Sequence, residues 1–282
     1  MREIRTIQDL KKATPEEIEE VRRTINLRGI VIRQLEKDAR RTGMTRVEYL
    51  EAMENREPHT CPTCNGEGIV YPAEPRGIGT IHPSSAHKCV TRLYYDVTGE
   101  LRAEENIPYH LDITFEIGHV IHRKIQKALH RALPGKFEDE VNVTIIEALI
   151  DGGHADGEGE LEFGDFLLEI KTISEDGFKG ITKPKAEDHL VQGHIYAKAR
   201  NKPFISYIYA SKGPGHPIKE FVVPYEERVF REWYLKKAAP VEHALEEGRP
   251  PKADANKYEC DQCGYQNGCP QRIERRSNAL TR

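Results

Sequence analysis

The stretch GHADGEGELEFGDFLLEIK (153–171) decides the fold, because it holds parts of two strand-like segments separated by a turn-rich acidic sequence. EALIDGGHADGE (147–158) and FLLEIKTI (166–173) have the composition of strands, and the second carries the apolar run of a buried strand. GELEFGD (159–165) supplies the residues of a turn between them. The sequence therefore predicts an antiparallel hairpin whose second strand is buried.

Three charged residues of this hairpin are predicted to come together. Glu169 and Lys171 are two positions apart, so their side chains leave the same face of a strand. An antiparallel return brings Asp156 beside Glu169. Two adjacent carboxylates repel each other unless a divalent cation lies between them. The alternative is a structural ion pair between Glu169 and Lys171, since a buried carboxylate needs a partner.

The surrounding sequence has a mixed α/β pattern over roughly 113–224. Helical periodicity alternates there with short apolar runs typical of strands. We predict helices over FEIGHVIHRKIQKALHRAL (115–133), EDHLVQGHIYAKARN (187–201) and 225–247, and strands over VNVTII (141–146), FISYIYASK (204–212) and IKEFVVP (218–224).

Two polar stripes on the predicted helices accompany the hairpin. His122 lies at the margin of an apolar stripe, where a ligand could reach inward. His119 shares a wholly polar stripe with Arg123, Gln126 and His130 and is predicted to face solvent. On the later helix, His189, Gln192 and Tyr196 share one stripe. Either stripe alone is also typical of ordinary helix surface.

The segments before this core differ in character. Residues 15–40 are predicted to form one helix, with a second short helix from Thr45, so that 1–56 is a charge-rich helical appendage. Residues 57–83 form an insert rich in proline and glycine. The main domain then covers 84–272, and 273–282 is a basic tail.

The chain holds six cysteines and no leader-like apolar segment, so the cysteines are predicted to be metal ligands rather than disulfides. Cys260, Cys263 and Cys269 follow a C-x2-C-x5-C pattern. Three thiolates leave a tetrahedral site incomplete, and Cys89 is the natural fourth ligand. The spacing alone leaves zinc and an iron–sulfur cluster both open.

The remaining cysteines, Cys61 and Cys64, form a separate CPTC motif in the insert. It resembles half of a chaperone-type zinc module. His59, His82 or His87 could complete a zinc site, as could a second subunit. The alternative is a reduced loop without metal.

Composition limits the possible partners. The 282 residues include 31% charged residues, and 42 Lys+Arg against 46 Asp+Glu give a net charge of −4. An overall polycation is excluded, so contact with nucleic acid requires a local basic surface or a bridging metal. The sequence holds no apolar run of membrane-spanning length and no apolar segment in MREIRTIQDLKK (1–12), so we expect neither membrane association nor secretion.

Scattered basic and aromatic residues are candidates for contacts to nucleic acid, with solvated surface as the alternative. Tyr94 and Tyr95 could stack on bases. The candidate phosphate contacts are Arg76, Lys88, Arg92, Lys179, Lys183, Lys185, Lys212, Arg272, Arg275 and Arg276.

The motifs form an ordered series. Gly118–His122 reads G-x-x-x-H, Asp156 lies in GHADG, Glu169–Lys171 reads E-I-K, and Gln192–Tyr196 reads Q-x-x-x-Y. This series resembles the RecB-like branch of the PD-(D/E)XK nuclease superfamily over about 85–272. The chain departs from the pattern at Ala155, where the superfamily name has proline.

The resemblance implies a restriction-endonuclease-like α/β core, a mixed sheet flanked by helices. It further implies that Mg²⁺ or Mn²⁺ is bound by His122, Asp156, Glu169 and the carbonyl of Ile170. Lys171 would be catalytic, and Gln192 and Tyr196 would lie near the active site and the bound strand.

An iron–sulfur subgroup of this branch has one cysteine before the nuclease core and three clustered after it. The resemblance therefore implies a 4Fe–4S cluster on Cys89, Cys260, Cys263 and Cys269 that staples the two ends of the core. The pattern is most similar to CRISPR-associated RecB-like exonucleases and their phage-encoded relatives.

That subgroup implies a DNA exonuclease acting on single strands, often from the 5′ end, in recombination, replication or spacer acquisition. A homo-oligomer or a recombination or replication partner is also expected, in the cytoplasm of a bacterial, archaeal or phage-infected cell. Two other classes stay open: a non-catalytic DNA-binding module that retains the fold, and a structural zinc protein.

Overall fold

The computed structural model describes residues 3–42, 79–101, 109–184, 186–265 and 267–273. Several predictions made from the sequence fall outside these ranges. They concern the short helix from Thr45, the zinc site of Cys61 and Cys64 with His59, and the basic residues Arg76, Lys185, Arg275 and Arg276.

A five-stranded mixed sheet, flanked by helices, forms the centre of the fold. Neighbouring strands pair antiparallel, except that β3 and β4 are parallel, and their order in space follows their order in the chain. The strand β4 is buried at every position, as a central strand covered on both faces should be. The strands are β1 (Phe137–Ile145), β2 (Ile150–Glu160), β3 (Asp165–Ile173), β4 (Phe204–Ser211) and β5 (Ile218–Pro224).

The predicted hairpin is confirmed by the pairing of β2 with β3, in which Gly157 lies opposite Leu168. The first strand of the hairpin, β2, starts later than predicted, at Ile150. The residues before it, Ile146–Ala148, form a 3₁₀ turn that ends on Leu149 with a φ of 54°. The strand also runs to Glu160, so the turn is shorter than the sequence suggested.

The prediction of one continuous helix over 15–40 is wrong. Two helices are present over this range instead, α2 (Pro15–Thr24) and α3 (Leu27–Thr42), and a further helix, α1 (Ile7–Lys12), precedes them. The chain is extended at Ile25, and the side chain of Asn26 accepts a hydrogen bond from the Gly29 amide at 2.8 Å. The carboxylate of Glu220 in β5 accepts the amides of Leu27 and Arg28 at 3.1 and 2.8 Å. A long-range contact therefore starts α3 anew, and local periodicity could not reveal it.

The N-terminal helices bury one face against the rest of the fold. Leu27, Val31 and Leu35 belong to the same apolar core as the sheet. Ile4 forms a parallel bridge with Gly164 at the β2–β3 turn. This charge-rich segment therefore also has an apolar face, which packs on the sheet and adds to the core.

Of the remaining helices, those predicted over 115–133, 187–201 and 225–247 are present, and the last two of these contain π segments. Ala186–Leu190 is a π segment that runs into the helix at Val191, and Tyr234–Ala238 is another, between two helices that the sequence predicted as one. These helices are α4 (Val90–Thr98), α5 (Tyr109–Ala132), α6 (Glu175–Gly180), α7 (Val191–Arg200), α8 (Glu227–Trp233), α9 (Ala239–Glu247) and α10 (Lys257–Asp261).

Two of these helices position the candidate site. α5 contacts β1, β2 and β3, and α7 contacts β1, β3 and β4. α7 approaches the sheet so closely that a Cβ at Gly193 would collide with the Tyr207 hydroxyl. No described helix is long and apolar enough to cross a membrane.

Candidate active site

Asp156 is held on both carboxylate oxygens. Its Oδ2 accepts a hydrogen bond from the Ile170 amide at 2.6 Å, across the β2–β3 hairpin. Its Oδ1 lies 3.1 Å from Nδ1 of His122, which α5 presents at the margin of its buried face. The hairpin and α5 thus fix Asp156 in one orientation and bring it to Glu169, as the sequence predicted.

Glu169 is a buried carboxylate with an unmatched oxygen. Its Oε1 lies 2.5 Å from Nζ of Lys171, whereas Oε2 is buried and has no hydrogen-bond partner among the described residues. Burial raises the pKa of Glu169 to about 7, which the Lys171 charge opposes and the Asp156 charge reinforces. A buried acceptor without a partner is costly, and a cation would satisfy it.

Lys171 begins a chain of hydrogen bonds that leads onto α7. Its Nζ donates to Oε1 of Gln192 at 2.8 Å, and Nε2 of Gln192 donates to the hydroxyl of Tyr196 at 3.0 Å. Burial acts to lower the pKa of Lys171, but Glu169 and Asp156 outweigh it and the pKa is raised. The ammonium is therefore retained, and the amide of Gln192 fixes its position.

The residues present suit a hard divalent cation. Carboxylates, a main-chain carbonyl at Ile170 and the imidazole of His122 form a mainly oxygen donor set, the kind that Mg²⁺ and Mn²⁺ prefer. The unmatched Oε2 of Glu169 is the observation that favours such an ion. As they stand, however, the described side chains include no group of three or more His, Cys, Asp or Glu that could hold a metal ion.

Gln126 is a site residue that the sequence analysis placed wrongly. The sequence pattern assigns it to the polar stripe of His119, but it is 3% exposed and donates to Oε1 of Glu140 at 2.8 Å and to the Asp156 carbonyl at 2.9 Å. Glu140 holds a φ of 51°, which is unusual for a residue other than glycine. Gln126 follows His122 by four positions, and this i,i+4 relation was the signal available in the sequence.

The site opens into a groove of about 900 Å³. Seven residues of the predicted motifs line it: Gly118, His122, Asp156, Ile170, Lys171, Gln192 and Tyr196. The buried Glu169 is not among the lining residues. The other lining residues include the cationic Arg123, Lys127 and Lys212, the acidic Asp139 and Glu140, the histidines His82 and His119, and Phe115.

The prediction that Tyr94 and Tyr95 stack on bases is wrong. Their exposures are 1% and 4%. The Tyr94 hydroxyl donates to Glu100 at 2.8 Å, and the Tyr95 ring packs on Tyr265 at 5.6 Å between centroids. Both rings therefore belong to the core near the cysteines.

Arg272 is also unavailable to phosphate. It is 6% exposed and donates to Asp261 at 2.7 Å. Among the other predicted phosphate contacts, Arg92 pairs with Asp96 at 3.6 Å, whereas Lys212 lines the groove and donates to the Thr114 carbonyl at 3.0 Å.

A second cavity, of about 260 Å³, is lined by all four cysteines that the sequence grouped together: Cys89, Cys260, Cys263 and Cys269. Their thiols are free of disulfides. Cys89 directly precedes α4, whereas Cys260 lies in α10 near the other end of the described chain. The fold thus brings together cysteines that are about 170 positions apart.

Hydrogen bonds hold the C-terminal segment on α4 beside this cavity. The amide of Val90 donates to Asp254 at 2.9 Å, and the Thr91 hydroxyl donates to the Pro251 carbonyl at 2.8 Å. The Tyr265 hydroxyl donates to Asp96 at 2.7 Å. The two segments therefore meet through their own contacts.

Two histidines that the sequence considered for zinc lie in different places. His82 lines the groove, and its Nδ1 is 2.8 Å from the Ser84 hydroxyl. His87 lines the cysteine cavity, with Nε2 3.6 Å from Asp188, and burial lowers the pKa of His87 to about 4.

Comparisons with known proteins gave structural similarities only. No family model matches the chain, and no curated protein matches it. The crystal structure of SSO0001 has a TM-score of 0.43 and 16% identity, covering 69% of this chain and 87% of that one.

Two structures of LHK-Exo are also similar. LHK-Exo in complex with dAMP has a TM-score of 0.39 and 16% identity, covering 61% of this chain and 94% of that one. The alkaline exonuclease LHK-Exo from Laribacter hongkongensis has a TM-score of 0.34 and 12% identity, with coverages of 61% and 94%.

Proposed function

We propose that this protein is a divalent-metal-dependent DNA exonuclease of the RecB-like PD-(D/E)XK type. The observation that carries the proposal is the buried, unmatched Oε2 of Glu169. Glu169 pairs with Lys171 and is affected by the charge of Asp156, and both of those residues line a large groove. If Glu169 and Lys171 formed only a structural ion pair, neither the nearby carboxylate of Asp156 nor the unmatched Oε2 of Glu169 would be accounted for.

Asp156, Glu169, His122 and the Ile170 carbonyl would hold Mg²⁺ or Mn²⁺. When bound, the ion supplies charge neutralisation at the scissile phosphate and a water of lowered pKa. Asp156 is pre-oriented for this task because the Ile170 amide and the His122 ring fix its two oxygens.

Lys171 would orient the attacking water and stabilise the negative charge that develops at phosphorus. Its Nζ is already fixed by Glu169 on one side and Gln192 on the other. Tyr196 supports this arrangement by accepting the second amide hydrogen bond of Gln192. In-line attack would leave a 5′-phosphate and a 3′-hydroxyl.

We propose single-stranded DNA as the preferred substrate, with digestion from the 5′ end. The resemblance of the motifs supports this polarity, and the cationic side chains of Arg123, Lys127 and Lys212 at the groove support a polyanionic substrate.

Digestion of DNA labelled at either the 5′ or the 3′ end, as single strand and as duplex, tests the proposal. Mg²⁺, Mn²⁺ and EDTA conditions are compared. We expect metal-dependent release of label that Asp156→Asn and Lys171→Ala abolish, and that Lys236→Ala, at a side chain 73% exposed, leaves intact.

Full digestion by the Asp156→Asn and Lys171→Ala variants would disprove the site assignment. Binding of DNA without any digestion in either metal would instead favour a non-catalytic DNA-binding module.

We also propose a 4Fe–4S cluster on Cys89, Cys260, Cys263 and Cys269. The four thiols line one cavity at which the two ends of the fold meet, which supports a structural, cross-linking role for a cluster. Four thiolates could also bind zinc.

Anaerobic purification distinguishes the two metals. A brown protein with about four irons per chain and absorption near 400 nm is expected for the cluster. Cys89→Ser should abolish the brown colour and lower the iron content. Cys61→Ser/Cys64→Ser should leave the iron content unchanged and should remove only zinc bound by the CPTC motif. A colourless protein that contains zinc alone would refute the cluster.

A further inference from the structure

One ridge of α5 combines an exposed aromatic residue with a series of basic residues. Phe115, His119, Arg123, Lys127 and Arg131 follow one another at steps of four positions and are all exposed. Residues four apart are neighbours on a helix surface, so these side chains form a continuous row with a step of about 6 Å. We call these five residues the α5 ridge.

The α5 ridge begins inside the groove of the candidate active site. Phe115, His119, Arg123 and Lys127 line the same groove as Asp156 and Lys171. Arg131 continues the row into an adjacent hollow of about 330 Å³, where Arg33 and Lys37 of α3 also lie. Positive charge therefore leads from the catalytic residues along the helix to its C-terminal end.

The charges at the middle of the row are available to a ligand. Among the described residues, neither Arg123 nor Lys127 forms an ion pair. The nearby carboxylates are engaged elsewhere: Asp139 pairs with His130 at 3.0 Å, and Glu140 accepts from Gln126. Arg131 pairs with Asp38 but remains 53% exposed.

The aromatic end of the row is exposed as well. The ring of Phe115 is 51% exposed, although large apolar side chains are normally buried. A ring at the edge of a basic groove offers a stacking platform for an unpaired base. Stacked bases of a duplex do not present such a face, so the combination favours a single strand.

We propose that the α5 ridge is the track of single-stranded DNA next to the active site. Phe115 stacks on a base, and Arg123, Lys127 and Arg131 contact successive phosphates. This inference rests on the proposed function and adds the path of the substrate strand, which the motif residues do not define.

Salt-dependent binding tests the phosphate contacts. Binding of a labelled oligothymidine is measured in EDTA with the Asp156→Asn protein, alone and with Arg123→Ala/Lys127→Ala. The matched control is Arg228→Ala/Lys236→Ala, which removes the same charge from side chains 77% and 73% exposed.

Loss of two phosphate contacts on a single strand should reduce the slope of log Kobs against log salt by about 1.4. The control variant should leave the slope unchanged.

An abasic oligonucleotide tests the stacking role of Phe115. Phe115→Ala should weaken binding of the normal strand about tenfold, without changing the salt slope, and Phe115→Trp should restore it. A strand without bases should bind the unmodified and Phe115→Ala proteins equally.

The outcomes distinguish the proposed path of the DNA strand along the α5 ridge from the proposed nuclease activity. If the protein digests DNA but the ridge variants bind like the control, the track is wrong and the proposed function stands. If the ridge variants lose binding only to duplex DNA, the single-strand assignment is overturned. If the protein neither digests nor binds DNA, both proposals fail.

Discussion

Replacing Glu169 with glutamine should make the metal-free protein more stable while abolishing its nuclease activity. Burial raises the pKa of Glu169 from 4.5 to about 7. An acid whose pKa is higher in the folded than in the unfolded state stabilises the fold at pH values below its unfolded-state pKa. This stabilisation is lost as the pH rises through its folded-state pKa. The ionised side chain therefore costs the metal-free protein on the order of 3 kcal/mol above pH 7.

Glutamine keeps the shape of the side chain and removes this cost. Part of the gain is offset because Lys171 loses its partner at 2.5 Å, although it keeps Gln192. We therefore expect Glu169→Gln to raise the Tm at pH 8 by up to about 6 °C, and to have no effect of this kind near pH 4.5. Glu169→Gln/Lys171→Met removes both charges and is the matched control for the loss of the pair.

Thermal unfolding of the full chain in EDTA at several pH values measures the effect. Added Mn²⁺ should stabilise the unmodified protein, by about 2.7 kcal/mol at a hundred times its Kd, and should leave Glu169→Gln unchanged. The reasoning is refuted if Glu169→Gln is less stable than the unmodified protein at pH 8, or if the two proteins show the same pH dependence.

Three further predictions concern other parts of the fold. Gln126→Ala should lower nuclease activity at least tenfold in the digestion assay, because Glu140 loses its buried partner and the Asp156 strand loses a tether. Gly193→Ala should cost about 1–3 kcal/mol in urea unfolding, and Tyr207→Phe should restore part of it by removing the colliding hydroxyl. Burial lowers the pKa of His194, so stability should fall as pH drops below 6.5. His194→Asn, which can keep the bond to the Leu190 carbonyl, should remove that acid loss in unfolding titrations.

The sequence was sufficient to predict the hairpin, and with it the placement of Asp156 near enough to Glu169 for their charges to interact, because strand alternation and a short turn are local properties. It was insufficient wherever a distant residue decides the outcome. The break between α2 and α3 depends on Glu220, which lies almost two hundred positions away. The burial of Tyr94 and Tyr95 depends on the C-terminal segment that packs over them.

The sequence of β2 explains which face of the sheet Asp156 occupies. In β2, buried small residues alternate with polar ones, and the small series includes Ala155, Gly157 and Gly159. A Cβ at Gly157 would collide with the ring of Phe137, and one at Gly159 would come within 2.7 Å of the ring of Phe166. These glycines serve close packing, whereas the sequence analysis assigned Gly159 to the turn.

A slip of one residue in this strand would drive polar side chains against the two rings and move Asp156 to the opposite face. The aromatic packing under the small face therefore fixes the register that sets Asp156 beside Glu169. By the same logic, Gly157→Val should disturb the site from the far side of the sheet, without touching any residue that lines the groove. Loss of both digestion and Mn²⁺-induced stabilisation in that variant, with the secondary structure retained by circular dichroism, is the expected result, and unchanged Mn²⁺ binding would contradict it.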